Sequence, residues 1–391
     1  MQKSWKTRLI HTDSKTPEGF RSLVTPTYRG STVLFPTADA ANDHWDQEQV
    51  GYTYGLYGTP TTLELAARVC ELEGGAHTII TAGGQGAIAL IHLALLNAGD
   101  HVLIPENIYA PNRKLAYSVM RRFGVEVSTY PPMIGAAIAD HLKDNTRLVW
   151  CENPGSLTME VQDVPAIAQA AHERGALVVL DNTWASGVFF NAFAHGVDVE
   201  MQALTKYVAG HSDVLLGAVT VKDRAIYDKL GNTYQVLGSA PGPDDCALAL
   251  RGMKTLAVRL KQIEQSALQV ASWLANRPEI ERVLHPALES CPGHDLWQRD
   301  FTGSSGLFSI VFKPGPTKQQ IHAFVDALEL FEIGYSWGGV ASLAMVYDLS
   351  HAKGRPEYDH RIVRLYVGLE EPEELIADLQ QALEKQAGHR G

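Results

Sequence analysis

The apolar run Ala176-Leu-Val-Val-Leu180, ending in Asp181, constrains the fold more than any other segment. Five apolar residues without polar alternation read as a strand buried on both faces, as parallel strands between two helical layers are. Such a strand delivers the next residue to its carboxyl end, where open α/β sheets hold ligands. From Thr61 the chain alternates helical stretches with short apolar runs. Leu63 to Glu71, Ala87 to Leu96 and Val164 to Arg174 read as helices, and Thr78 to Ile80, Val102 to Ile104 and Leu148 to Trp150 as strands. Past about Met253 the character changes. A helix from Leu256 through Leu274, strand-like Arg282 to Leu284 and Leu307 to Phe312, a helix from Gln319 to Leu328, a strand around Val363 to Val367 and a closing helix from Pro372 form a smaller unit. The expectation is an α/β protein. Residues 59–253 build a mixed, mostly parallel sheet with helices on both faces, and residues 254–391 a smaller C-terminal α+β domain. The first 58 residues, broken by Pro17, Gly19, Pro26, Gly30 and Pro36, read as a segment unable to bury itself.

Composition excludes several classes. A chain that is 45% hydrophobic and 20% charged has apolar surface enough for a large core. Its net charge of -11 comes without a basic stripe, which argues against nucleic acid. The start, Met1 to Ile10, has no apolar signal region and no later run reaches membrane-spanning length, so no membrane partner and a cytoplasmic location are expected. Four cysteines without Cys-x-x-Cys spacing and 15 histidines without His-Glu-x-x-His give no support for a metal site.

The chemistry gathers around Lys206, in Ala203-Leu-Thr-Lys-Tyr207. A carboxylate at a strand end can pair with a pyridinium nitrogen, and a nearby lysine closes a Schiff base, so Asp181 with Lys206 suggests covalently held pyridoxal phosphate. Taken singly, each has a plainer reading: a helix-capping Asp and a solvated Lys. The turn Thr81-Ala-Gly-Gly-Gln-Gly86 lies between a strand and a helix, so Gly84 and Gln85 can offer backbone N–H groups to a phosphate. Glycine-rich turns are also often only tight turns. The Thr205 hydroxyl is a further candidate phosphate donor. Arg364 interrupts an alternating strand pattern and needs an anionic partner, either a substrate α-carboxylate or an internal acid.

Ordered words along nearly the whole chain carry a resemblance. They include Thr25-Pro-Thr-Tyr-Arg29, Tyr54-Gly-Leu-Tyr-Gly-Thr59, Cys70-Glu-Leu-Glu-Gly-Gly75, Glu152-Asn-Pro-Gly-Ser156, Asp181-Asn-Thr-Trp184, Thr205-Lys-Tyr207, Gly210-His-Ser-Asp213, Tyr335-Ser-Trp-Gly-Gly339 and Arg364. The chain resembles the cystathionine-lyase branch of the Cys/Met-metabolism pyridoxal-phosphate enzymes, of fold-type I. The resemblance implies Lys206 as Schiff-base residue and proton carrier, Tyr109 stacked on the cofactor ring, Tyr54 bonded to a neighbouring subunit's cofactor phosphate, and these three as the catalytic set. It implies Asn153, Ser336, Trp337 and Arg364 as substrate contacts, Ser156 near the cofactor or substrate, and a homotetramer, a dimer of dimers with shared active sites. The implied reaction is β-elimination of L-cystathionine or related S-substituted cysteines to a thiol, pyruvate and ammonia. A methionine or homocysteine γ-lyase, an amino-acid racemase and a non-enzymatic regulatory protein that keeps the fold are the alternatives. The chain departs from the pattern at Leu56, where the family has a phosphate-pairing Arg, at Tyr57, at Ala203, where many relatives have a hydroxyl, and at Arg113 and Lys114.

Overall fold

A computed structural model of the chain describes residues 4–11, 19–20, 22–353 and 355–388. Seven strands make the larger sheet: β1 (His77–Ala82), β2 (His101–Pro105), β3 (Glu126–Tyr130), β4 (Thr146–Glu152), β5 (Leu177–Asp181), β6 (Val199–Gln202) and β7 (Leu216–Val221). Their order is β1-β7-β6-β5-β4-β2-β3, and only β7 runs antiparallel to its neighbours. This is the mixed, mostly parallel sheet expected. The two-residue period of each strand divides it between two helical layers. Leu103, Val149, Cys151, Val178 and Leu180 face a core shared with helices Pro60–Glu73 and Val164–Glu173. Val102, Ile104, Leu148, Trp150 and Val179 face the other, under helices Gly84–Leu95 and Arg224–Leu237.

After the long helix Leu256–Ala275 comes the second sheet, from β8 (Ile280–Leu284), β9 (Leu307–Phe312), β10 (Glu332–Ile333), β11 (Leu343–Val346) and β12 (Ile362–Tyr366), in the order β10-β11-β12-β9-β8. One face, with Phe308, Ile310, Phe312, Val363 and Leu365, closes a core with three helices, Leu256–Ala275, Lys318–Asp326 and Pro372–Gly388. The other face, with Leu307, Val311, Ile362 and Tyr366, joins the larger core that also holds Leu204 and Tyr207. The second sheet is therefore packed directly against the segment that carries Lys206.

Part of the leading segment corrects the sequence reading. Trp45 is 7% exposed and donates to Asn232 Oδ1 at 3.0 Å, and Asp46 pairs with Arg224 at 2.6 Å. A Cβ on Gly231 would come within 2.0 Å of the Trp45 ring, so glycine lets the indole lie flat on its own domain. Leu23 and Leu34, by contrast, are 90% and 88% exposed. No helix among the described residues is long and apolar enough to cross a membrane.

Candidate active site

β4 and β5 end side by side, with Glu152 opposite Asp181 in the parallel register. Asp181 Oδ1 accepts the Thr183 N–H at 3.0 Å and its hydroxyl at 2.5 Å, which leaves Oδ2 without a protein donor among the described residues. Burial raises the Asp181 carboxyl, while the two Thr183 donations and the charge of Lys206 oppose that rise. The same Thr183 hydroxyl accepts the Ala203 N–H at 2.9 Å. Asp181 is thereby tied to the turn bearing Lys206.

That turn is held from behind. Lys206 N–H returns to Ala203 O at 3.0 Å, Gly210 N–H closes on Lys206 O at 2.8 Å, and the buried Arg259 donates to Tyr207 O at 2.7 Å. Lys206 Nζ then points to the second sheet, donating to Ser336 Oγ at 2.6 Å and lying 5.2 Å from the centre of the Trp337 ring. Burial first, then the like charge of Arg364, pushes the amine down to about 8, against the opposing pull of Asp181.

Arg364 lies on β12, opposite Met345 of β11. Its one protein hydrogen bond among the described residues runs from Nη2 to Ser336 O at 3.2 Å, and no carboxylate pairs with it there. The internal salt bridge is thus not what holds it. One residue, Ser336, bonds the lysine through its side chain and the arginine through its carbonyl.

The glycine-rich turn also reaches this point. Gly83 takes a φ of +82°, the helix starts at Gly84, and the N–H groups of Gly86 and Ala87 turn back to Gly83 O at 3.0 and 3.3 Å. The N–H groups of Gly84 and Gln85 have no acceptor among the described residues. A Cβ on Gly84 would stand 2.8 Å from that of Ala203, so its absence lets this helix N-terminus abut the Lys206 turn. Open donors at a helix start suit a phosphate.

Other expected residues divide. Tyr109 is 44% exposed at the start of helix Ala110–Ser118, and its N–H donates to Glu152 Oε2 at 2.7 Å. Asn153 is fully buried and exchanges bonds with Gln162, accepting its N–H at 2.8 Å and donating to its carbonyl at 3.5 Å. Thr205, expected as a phosphate donor, is bonded to β7. Its hydroxyl donates to Leu216 O at 3.1 Å and accepts Leu216 N–H at 3.0 Å, tying the turn to β7. Tyr54 is 45% exposed and makes no hydrogen bond or ring contact with Lys206, Asp181 or Arg364 among the described residues. Sequence reasoning passed over Glu152 and Tyr347. Glu152 stood in a quoted motif, and its carboxyl is raised well above the usual range by burial and then by Asp181. Tyr347 underlies Arg364, whose Cζ is 5.4 Å from its ring centre.

The donor set fits pyridoxal phosphate: an amine for the carbonyl, a free Asp181 oxygen for the ring nitrogen, open N–H groups for the phosphate and a flat Tyr109 side chain at the same sheet end. A family model described as "Cys/Met metabolism PLP-dependent enzyme" matches residues 6–384. The chain is 43% identical to a putative cystathionine beta-lyase of Rhizobium johnstonii, over 96% of this chain and 94% of that one. It is 40% identical to the cystathionine beta-lyase MetC of Escherichia coli, over 90% and 91% respectively. The crystal structure of metB from Corynebacterium glutamicum superimposes with a TM-score of 0.90 at 29% identity, covering 98% of each chain.

Proposed function

The chain belongs to the Cys/Met-metabolism pyridoxal-phosphate-dependent enzymes, and from that membership we propose that it is a carbon–sulfur lyase of the cystathionine β-lyase type. The observation that carries the reading is Ser336, which holds the amine of Lys206 at 2.6 Å and the guanidinium of Arg364 at 3.2 Å. An amino acid whose carboxylate lies on Arg364 has its α-carbon beside the Lys206 amine. When bound, pyridoxal phosphate supplies a carbonyl for amine capture and a ring that stabilises negative charge at that carbon.

The protein's own groups do the rest. An amine near 8 is neutral often enough at working pH to take the α-proton, and protonated afterwards to give a proton to the departing sulfur. Arg364 binds and orients the carboxylate. Tyr109 would flank the pyridoxal ring, and the N–H groups of Gly84 and Gln85 would receive the phosphate. Breaking the Cβ–S bond releases a thiol and aminoacrylate, which water converts to pyruvate and ammonia; with L-cystathionine the thiol is homocysteine.

We read the working form as a cytoplasmic homotetramer in which Tyr54 serves a neighbouring subunit's site. The exposed apolar side chains Leu23, Leu34 and Leu215 support a partner surface of the same chain. A panel of L-cystathionine, cystine and other S-substituted cysteines, with pyruvate, 2-oxobutyrate, thiol and amino-acid chirality all measured, tests the reaction. Pyruvate with homocysteine is expected. Predominant 2-oxobutyrate would move the assignment to γ-elimination, and racemised amino acid without pyruvate would move it to racemisation.

A further inference from the structure

We propose that Tyr347 is a positioning residue for the α-carboxylate anchor, its ring fixing the plane in which the Arg364 guanidinium waits for substrate. The inference rests on the reading of Arg364 above. A guanidinium meets a carboxylate edge-on with two parallel N–H groups, so the plane decides whether both bonds form. One hydrogen bond, to Ser336 O at 3.2 Å, leaves the group free to turn. Other enclosed arginines are pinned more fully: Arg361 by Glu281, Phe312 O at 2.7 Å and Glu357 O, and Arg259 by Tyr207 O at 2.7 Å and Gly252 O at 2.9 Å.

Tyr347 stands where it can supply what those hydrogen bonds supply elsewhere. Met345 pairs with Arg364 and Val346 with Val363, and the Tyr347 N–H continues the ladder to Ile362 O at 3.2 Å. Side chains alternate along a strand, so Tyr347 and Met345 share the face of Arg364, and Tyr347 is its diagonal neighbour. The guanidinium carbon lies 5.4 Å from the ring centre, and the ring is half-buried. A carboxylate in this place would also fix the arginine, but it would neutralise the charge and compete with substrate. An aromatic face holds the cation without using a donor. The anchor keeps its N–H groups for the ligand.

Two stable reduced conjugates of pyridoxal phosphate, one with alanine and one with ethylamine, separate this role from general packing. They differ only in the carboxylate, so the ratio of their affinities for cofactor-free protein reads the anchor alone. Tyr347→Leu is expected to lower that ratio about tenfold, equivalent to about 1.4 kcal/mol and on the scale of a desolvated cation–π contact, while the ethylamine conjugate binds as to wild type. Tyr347→Phe keeps the ring and is expected to keep the ratio. An unchanged ratio in Tyr347→Leu, or an equal loss for both conjugates, overturns the inference. Failure of both conjugates to bind wild type overturns the cofactor reading and this inference with it. Strong binding of both with no preference for alanine in wild type refutes the Arg364 anchor alone.

Discussion

Lys206 and Ser336, 130 residues apart in the chain, meet at 2.6 Å, and this bond joins the seven-stranded sheet to the five-stranded one at the proposed reaction centre. Ser336 has a φ of +75°, a backbone conformation that L side chains seldom adopt and that surrounding structure must hold. Gly338 follows at +86°, and a Cβ there would come within 2.8 Å of the Lys206 carbonyl carbon. The Ser336 loop therefore fits over the lysine turn only with this sequence of residues. The amine is enclosed as a result, and enclosure is the main cause of its lowered proton affinity.

A first prediction concerns that amine in cofactor-free protein. Its reactivity toward an aldehyde or acylating reagent should rise through a midpoint of about 8, against about 10.4 for an ordinary lysine. Because Arg364 disfavours the charged form, Arg364→Leu should move the midpoint upward. The linked stability has a definite sign. Between about 8 and the unfolded value the unfolded chain binds more protons, so wild type should gain stability relative to Lys206→Met as pH rises through that window. Modification rates followed by peptide mapping check the assignment, and a midpoint near that of the surface lysines would refute the buried amine.

Much of this arrangement was legible in the sequence, and the limits have physical causes. The strand ending at Asp181 announces itself because it is buried on both sides and wholly apolar, and helix Val164–Glu173 because its apolar face repeats at helical spacing. β6 gave no such signal, since Glu200 and Gln202 are buried within it and bonded to Asn182 and Glu73. β3, Glu126 to Tyr130, carries polar residues at the sheet edge. Lys206, Asp181 and Arg364 each had a motif. Tyr347 had none, because its meaning arises only when β11 pairs with β12, and the bonds of the Thr205 hydroxyl to Leu216 likewise arise only when its turn meets β7.

Glu152 supplies a second prediction. Glu152→Gln keeps an acceptor for the Tyr109 N–H, whereas Glu152→Leu leaves that N–H without its partner in a partly buried place, at a cost of about 1 kcal/mol. The Leu variant should melt lower, and if Tyr109 stacks on the cofactor as proposed it should also bind cofactor more weakly, because that tyrosine loses its tether. Burial and the neighbouring Asp181 favour the neutral acid, so Glu152→Gln should leave the pH–activity profile in place. Melting curves and cofactor titrations of the two variants decide it: indistinguishable behaviour would remove Glu152 from the site.

The third prediction tests sharing between subunits. Tyr54 is 45% exposed, and among the described residues it makes no hydrogen bond or ring contact with Lys206, Asp181 or Arg364. Mixed oligomers of Tyr54→Phe and Lys206→Ala, each impaired alone, should recover activity at sites that take Tyr54 from one subunit and Lys206 from the other. If exchange is demonstrated by mass labelling and activity stays absent, Tyr54 does not serve a neighbour.

The last prediction concerns Leu56, where the resemblance leads one to expect a phosphate-pairing arginine. The neighbouring cations do not fill its place by default. Arg29 is exposed and donates from Nε to Asp244 Oδ2 at 2.8 Å, and Arg113 donates to the backbone carbonyl of Glu106. Tyr57 is committed as well, its hydroxyl donating to Asp43 at 3.0 Å. What the site offers instead is the pair of open N–H groups at Gly84 and Gln85 with the positive end of their helix. A charge-assisted bond contributes about 1.5–3 kcal/mol where nothing replaces it, so Leu56→Arg should tighten cofactor binding by about tenfold or somewhat more. The Arg29–Asp244 pair is exposed, so water and salt screen it and it opens readily. If Arg29 turns to the phosphate, the gain shrinks, and Asp244→Asn should then strengthen wild-type binding by freeing that arginine. Titration of cofactor-free wild type, Leu56→Arg and Asp244→Asn at several salt concentrations separates the cases. A gain confined to Leu56→Arg and weakened by salt means an unfilled phosphate position, whereas equal affinities in all three mean that backbone donors alone suffice.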